Sequence, residues 1–206
     1  MLFVSSLSSS LILSKIKTFA STAIPTVKII PAIPGKVKVA SNKVKIPNKI
    51  NKFINYFSKT EKGRVFFKQT YRRQGLFRDR INQIFKEYDI PEDLIYLSMI
   101  ESAFQVDIVS SAGAVGLWQF MYLTGKQYGL NRNWYIDERQ DPIKSTHAAA
   151  KYFQDLYNEF EDWYLVLAAY NTGPGRLNRA LKLHETSDYW QLYSLPKDTK
   201  NYIPYY

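Results

Sequence analysis

Apolar residues recur at three- and four-residue spacing through most of the chain after residue 50. Such spacing places them along one face of successive α-helices. Gly63 and Gly75 interrupt the pattern, and we expect a helix break at each of them. Period-two alternation, which is typical of strands, is not evident after residue 60. The pattern therefore predicts a mainly α domain over residues 53–206.

The most apolar stretch of this region runs from Leu94 to Ile100 and ends at Glu101. Pro91 suits the first turn of a helix, so we expect one buried helix from Pro91 to Glu101. A carboxylate among apolar side chains, at the negative end of a helix dipole, has a raised pKa. Glu101 would then carry a proton near neutral pH, as a general acid must. The alternative is a glutamate that faces solvent, as most glutamates do.

The segment after this helix, residues 106–121, combines small residues with a few polar ones, among them Ser110. Its glycines at positions 113 and 116 allow close packing against neighbouring backbone. Gln119 and Met121 are predicted at the start of the next helix. The Gln119 amide either holds a polar substrate group or satisfies buried backbone groups.

Three helices are predicted further along the chain. Asp141 followed by Pro142 is typical of an N-cap with proline in the first turn. Trp163 to Tyr170 is a further apolar helix, and Asn171 then precedes Thr-Gly-Pro-Gly, which indicates a stop, a tight turn and a restart. On these grounds alone Tyr170 is a core aromatic and Asn171 a helix cap.

Residues 1–52 form a separate segment by composition. They contain nine lysines and no Arg, Asp or Glu, which leaves 19 basic and 18 acidic residues in 53–206. The net charge of +10 therefore lies in the N-terminal segment, and the domain offers no reason to expect a nucleic-acid partner. Four prolines and many lysines predict an extended tether, either a solvated linker or a segment that contacts a membrane or cell-wall surface.

The first 13 residues are apolar but shorter than the roughly 20 residues that span a bilayer. They resemble the apolar part of a secretory signal, although no positive charge precedes them and Lys15 and Lys17 follow at once. A cleaved signal and a retained tether both remain open. The chain contains no cysteine and two distant histidines, so neither a metal site nor a cofactor is expected.

Three motifs occur in order: Glu101-Ser102, then Ser-x-Ala-Gly-Ala-x-Gly-Leu-Trp-Gln-Phe from Ser110, then Ala-Tyr-Asn-x-Gly-Pro-Gly from Ala169. Together they resemble the catalytic domain of the family-1 lytic transglycosylases over roughly residues 50–206. The resemblance implies a lysozyme-like (goose-type) helical domain with a substrate cleft. It also implies a monomer in the periplasm or cell envelope. That monomer would cleave the MurNAc-β-1,4-GlcNAc bond of peptidoglycan glycan strands to leave 1,6-anhydroMurNAc ends.

The same resemblance assigns roles to seven residues. Glu101 is the acid that later acts as base, in the family's pattern. The residues implied to contact substrate or line the cleft are Ser110, Gln119, Met121, Tyr170, Asn171 and Tyr202.

Glu101 is followed by only one nearby acid, Asp107, in a loop without a matching motif. Ordinary glycosidases need two carboxylates, so a single one favours attack by the substrate's own hydroxyl. A hydrolytic goose-type lysozyme and a non-catalytic peptidoglycan-binding scaffold are the alternatives. The chain stops four residues after Tyr202, where family members run on, and no LysM-like repeat follows. The sequence leaves open whether Tyr202 is held against Glu101.

Overall fold

A computed structural model describes the backbone of residues 48–205, and the predicted signal and tether fall almost wholly outside this range. Within it the chain forms nine α-helices, linked by turns, loops and short 3-10 segments. The helices are α1 (Asn48–Lys59), α2 (Glu61–Gln74), α3 (Arg78–Glu87), α4 (Leu97–Ser102), α5 (Tyr122–Gln127), α6 (Pro142–Phe160), α7 (Trp163–Thr172), α8 (Pro174–His184) and α9 (Lys197–Tyr205).

The described residues divide into two compact units, one that ends at Phe66 and one that begins at Phe67, and both residues lie within α2. In the first unit the break lies at Thr60, whose Oγ1 accepts the N–H of Gly63 at 3.0 Å. The predicted break at Gly63 is wrong, because this glycine lies inside α2. A Cβ there would lie 2.2 Å from the carbonyl oxygen of Tyr56, so only glycine permits this close approach of α1. The break predicted at Gly75 is confirmed.

The second unit contains the apolar run that leads to Glu101. Its first half, Glu92–Tyr96, is a 3-10 helix, and only Leu97–Ser102 is α-helical. Pro91 is extended and precedes the turn, and its carbonyl accepts the Leu94 N–H three residues later at 3.0 Å. The prediction of one helix from Pro91 is therefore wrong, because the chain enters through the tighter i to i+3 pattern. The predicted burial is correct for most of the run.

Helices α6 and α7 form much of the core of this unit. Asp141 caps α6 by accepting the N–H groups of Ile143 and Lys144, both at 2.9 Å, as the sequence predicts. Asp162 caps α7 in the same way. Three consecutive alanines of α6, residues 148–150, are buried and allow other elements to approach closely.

Extended backbone among residues 48–205 pairs only at isolated bridges, so the predicted mainly α class is confirmed. In this part of the chain, every helix is too short or too polar to span a bilayer.

Candidate active site

Glu101 lies in the last turn of α4, where the chain reverses abruptly. Ala103 and Phe104 both adopt left-handed backbone conformations, with φ of 51° and 57°. Ser102, next to Glu101, is buried, and its hydroxyl proton is shared between the carbonyl oxygens of Leu117 at 2.9 Å and Ser98 at 3.1 Å. The Ser102 hydroxyl therefore connects the end of α4 to residues 106–121, which we call the glycine-containing loop.

Tyr202 of α9 donates a hydrogen bond from its phenol to Oε1 of Glu101, across 101 positions of sequence. Burial raises the pKa of Glu101 from its ordinary 4.5 to about 7, and the bond from Tyr202 acts in the opposite direction. A substantial fraction of this carboxyl group therefore carries its proton near neutral pH. Tyr202 is itself buried, so the question that the sequence left open is answered: this tyrosine is held against Glu101.

Asn171 does not touch Glu101 through any hydrogen bond of the described residues, but it contacts the helix that carries Tyr202. Its Oδ1 accepts a bond of 2.8 Å from Oγ1 of Thr199. The Thr199 carbonyl in turn accepts a bond of 2.8 Å from the Tyr189 phenol. Thr199 is buried and lies one turn before Tyr202, so these bonds fix the part of α9 that presents Tyr202.

Ser110 closes a tight turn in the glycine-containing loop. Its carbonyl accepts the Gly113 N–H at 2.9 Å, and its Oγ accepts the Ala114 N–H at 3.0 Å. The side chain is half-buried. A serine hydroxyl that accepts one bond still has its own proton to donate, so Ser110 retains a donor for a ligand.

The side-chain nitrogen of Gln119 donates to backbone carbonyl groups, which is one of the two roles that the sequence allowed for this amide. Nε2 donates to the carbonyls of Gly116 at 2.9 Å and Ile108 at 3.4 Å. The Gln119 backbone is left-handed, with φ of 50°. The amide oxygen, which takes no part in these two bonds, is the atom that remains to accept a bond from a ligand.

The helix predicted to start near Gln119 and Met121 starts instead at Tyr122, so both residues precede it. The reason is a tight reversal in which Val115 and Phe120 exchange two backbone bonds of 3.1 Å. Met121 is the N-cap residue of α5, and its side chain is exposed.

Arg139 is buried against the glycine-containing loop and stabilises it by hydrogen bonds. No sequence pattern indicated this role. Its Nη1 donates to the carbonyls of Gly113 and Phe120, both at 3.0 Å. Its other nitrogens bond the Asp137 carboxylate at 2.9 and 2.6 Å, which holds the pKa of Asp137 below its usual range. Only 3% of Arg139 is exposed, and its burial has no signature in the local sequence. Position 116 accepts only glycine, because the Cβ of any other residue would lie 2.0 Å from the Arg139 carbonyl oxygen.

Tyr170 links α7 to the same loop. Its phenol donates to the Trp118 carbonyl at 2.8 Å, and its ring stacks on Phe153 at 5.0 Å between centroids. Trp118 is fully buried, and its Nε1 donates to Thr146 Oγ1 at 2.9 Å. Burial raises the pKa of Tyr170 well above its usual range, and the negative charge of Glu101 raises it further. Tyr170 is therefore a neutral phenol close to the Glu101 carboxyl group.

The structure thus brings three elements to Glu101: α9 through Tyr202, α7 through Tyr170, and the glycine-containing loop through Ser102. Asp107 is exposed, and no second acid of the described residues shifts the pKa of Glu101. The arrangement provides one carboxyl group that can give and take a proton near pH 7.

Residues 79–193, more than half of the chain, match the transglycosylase SLT domain. The chain belongs to this family. The resemblance drawn from the three motifs is therefore confirmed.

Several curated proteins are similar to this SLT domain. Membrane-bound lytic murein transglycosylase D of Escherichia coli strain K12 is 40% identical over 124 residues, which cover 58% of this chain and 27% of that protein. A putative tributyltin chloride resistance protein of Alteromonas sp. strain M-1 is 37% identical over 94 residues, 45% of each chain. Peptidoglycan transglycosylase gp16 of phage T7 is 32% identical over 132 residues, 63% of this chain and 10% of that protein. The chain thus spans about a quarter of the E. coli relative.

Two solved structures have similar folds. An inactive mutant of lytic transglycosylase Slt from Pseudomonas aeruginosa, in which one glutamate is replaced by glutamine, superposes with a TM-score of 0.52. It is 27% identical and covers 62% of this chain and 22% of that one. The 70 kDa soluble lytic transglycosylase of Escherichia coli superposes with a TM-score of 0.53 at 23% identity, covering 76% and 31%. These similarities confirm the predicted lysozyme-like helical fold.

Proposed function

We propose that this SLT domain is a lytic transglycosylase of peptidoglycan. It would cleave the β-1,4 bond between MurNAc and GlcNAc without water and leave a 1,6-anhydroMurNAc end. The observation that carries the proposal is a single carboxyl group, Glu101, with a pKa of about 7 and a phenol bonded to one of its oxygens.

In the first step, protonated Glu101 gives its proton to the glycosidic oxygen while the bond from that oxygen to C1 of MurNAc breaks. The leaving GlcNAc departs with a hydroxyl at C4, and positive charge develops at C1 and the ring oxygen. The pKa of about 7 suits this step, because a substantial fraction of Glu101 carries the proton at neutral pH.

In the second step, ionised Glu101 removes the proton from the C6 hydroxyl of the same MurNAc as that oxygen bonds to C1. The net change is one broken C1–O4 bond, one new C1–O6 bond, and one proton moved from O6 to O4 through Glu101. An intramolecular nucleophile has a large effective concentration, so a second protein carboxylate is not required.

Tyr202 supports both steps by fixing Glu101. A phenol that donates to one carboxyl oxygen leaves the other oxygen to exchange the proton with substrate, and it stabilises the ionised form between the two steps. Ser110, Gln119 and Met121 belong to the loop over which the sugars would lie. The Ser110 hydroxyl would donate a hydrogen bond to the sugar, and the Gln119 amide oxygen would accept one from it. Asn171 would help to position Tyr202 indirectly, by accepting a hydrogen bond from Thr199 of the same helix.

The comparisons support the proposal in coarse outline. Relatives are named as murein or peptidoglycan transglycosylases, and the Slt structure from Pseudomonas aeruginosa is an inactive mutant with one glutamate changed to glutamine. The names of the membrane-bound relatives also favour a place in the cell envelope. We infer that the partner of this domain is the peptidoglycan glycan strand, bound by a single copy of the chain.

The test is digestion of purified peptidoglycan, followed by mass spectrometry of the soluble fragments. We expect products that are lighter by one water than hydrolytic products and that resist borohydride reduction, as anhydro ends do. Reducible ends alone would assign the chain to the hydrolytic lysozymes. An absence of products together with retained binding to peptidoglycan would assign it to the non-catalytic scaffolds.

A further inference from the structure

A short hairpin between α5 and α6, residues 131–138, takes no part in the chemistry proposed above. The N–H of Asn133 donates to the carbonyl of Ile136 at 2.8 Å. The Asn133 side-chain oxygen accepts the N–H groups of Tyr135 and Ile136, both at 2.8 Å. This side-chain turn orders the backbone at the tip of the hairpin.

Three consecutive large apolar side chains project from this ordered tip. Trp134 is 93% exposed, Tyr135 is 90% exposed and Ile136 is 59% exposed. Single exposed apolar residues are ordinary, but a contiguous exposed group of this size marks a binding surface. Trp and Tyr are also the side chains that most often dominate binding energy.

A cavity of about 440 Å³ lies beside the hairpin, within the usual range of roughly 300 to 1,000 Å³ for ligand sites. Its lining includes residues 132–137 of the hairpin together with Val109, Gly113 and Val115. Ser110 belongs to that same loop, whereas Glu101 does not line the cavity. The cavity is therefore lined by residues of the loop that carries Ser110, among them its sequence neighbour Val109.

The charged groups of the cavity are engaged with one another. Arg132 lies 3.7 Å from the Asp137 carboxylate, and the buried Arg139 lies 2.6 Å from it. Residues 53–206 as a whole carry nearly balanced charge. A polyanion such as a nucleic acid needs a basic surface, which this site does not offer, so the exposed aromatic rings suit the flat apolar face of a single sugar ring.

We infer that Trp134 and Tyr135 form a stacking site for a pyranose ring of the glycan strand, away from the bond that is cleaved. The apolar face of a sugar ring covers an aromatic ring, and the exposed amide of Gln140 at the cavity rim bonds its hydroxyl groups. The inference rests on the proposed function, because it takes the glycan strand as the ligand. It adds that the enzyme holds long strands more tightly than short ones.

The test uses the full chain carrying Glu101→Gln, so that bound strands are not cleaved. Dissociation constants are measured by calorimetry for peptide-free glycan strands prepared from purified peptidoglycan. We expect the pair Trp134→Ala and Tyr135→Ala to weaken binding by tenfold or more, since an aromatic anchor commonly contributes a factor of about ten. Trp134→Phe retains a ring and should stay within about threefold of the parent. The matched control is Tyr193→Ala, an exposed aromatic outside the cavity, which should leave the dissociation constant unchanged.

Two further measurements separate this inference from its rivals. Trp134 fluorescence should shift to shorter wavelength when the strands are added, and the shift should vanish in Trp134→Phe. If the alanine pair binds strands as tightly as the parent, the stacking site is wrong, whereas anhydro products from the unmutated chain would still support the proposed function. If the alanine pair instead loses binding to anionic phospholipid vesicles and keeps its affinity for strands, the hairpin is a membrane contact and the inference is overturned.

Discussion

Oγ1 of Thr199 donates a hydrogen bond of 2.8 Å to Oδ1 of Asn171, and this bond joins α7 to α9 three residues before Tyr202. By resemblance, Asn171 was expected to contact substrate or line the cleft. The bond also connects Asn171 to the helix whose tyrosine bonds Glu101.

Thr199→Val keeps the shape of the buried side chain and removes this bond. We expect a loss of about 1 kcal/mol in the free energy of unfolding, since one buried hydrogen bond contributes that much. Because Tyr202 is then less well held, activity should also fall, and the alkaline limb of the pH–rate profile should move to higher pH. Thr199→Ser is the control, and its hydroxyl should restore the profile. A stability loss with an unchanged profile would limit Thr199 to a structural role.

Tyr202→Phe removes the hydrogen bond that lowers the pKa of Glu101 and leaves the burial that raises it. The pKa of Glu101 should rise above 7, so the protonated acid should persist to higher pH. We expect the alkaline limb of the kcat/KM profile to move to higher pH. The maximal rate should fall by about tenfold, which corresponds to the loss of one hydrogen bond to a charged group. The pH profile of peptidoglycan solubilisation provides the measurement, and a limb that moves to lower pH would contradict this account.

Glu101→Gln removes the group that exchanges the proton with substrate. We expect kcat to fall by roughly 10²–10⁴-fold, the contribution of general acid–base catalysis to a single step. Binding of the glycan strands should remain, since the amide has the same shape. Turnover within tenfold of the unmutated chain would remove Glu101 from the mechanism.

Glu101 also gives stability a pH dependence of known sign. Its pKa is about 7 in the folded chain against an ordinary 4.5, so the folded state holds the extra proton between these values. The free energy of unfolding should fall as pH rises through this window, by up to about 3 kcal/mol from this group. Urea denaturation at pH 4.5 and pH 8 measures the change. Glu101→Gln should flatten it and be the more stable form at pH 8, and an unchanged slope would show that Glu101 titrates normally.

Gly116 and Gly113 of the glycine-containing loop form a matched pair for substitution, because both have positive φ, of 79° and 82°. Gly116→Ala would place Cβ 2.0 Å from the Arg139 carbonyl oxygen, whereas Gly113→Ala meets no atom within 4 Å. We expect about 1 kcal/mol of destabilisation at Gly113, from backbone strain alone. Gly116→Ala should cost at least about 3 kcal/mol, because the loop must move away from Arg139. Equal thermal shifts for the two variants would show that the contact with Arg139 relaxes freely.

The helices that position the site were largely predictable, because their signals are local. Asp141 followed by Pro142 marks the start of α6, and the apolar run before Glu101 is buried as its composition predicts. The errors also have local causes. Gly63 reads as a helix breaker, yet it is the residue that lets α1 approach α2, and a contact across a turn is not visible in periodicity. Pro91 suits a first helical turn, but the chain takes the tighter 3-10 path there.

The sequence by itself determined the helical class, the family, and Glu101 as the candidate acid, because spacing and motif order are properties of the chain. Only the tertiary structure decided that Tyr202 reaches Glu101 and that Asn171 bonds Thr199. It alone also revealed that Arg139 is buried beneath the loop. These facts depend on contacts between residues distant in sequence. The raised pKa of Glu101 belongs to both, since the apolar run suggests it and the packed surroundings fix its size.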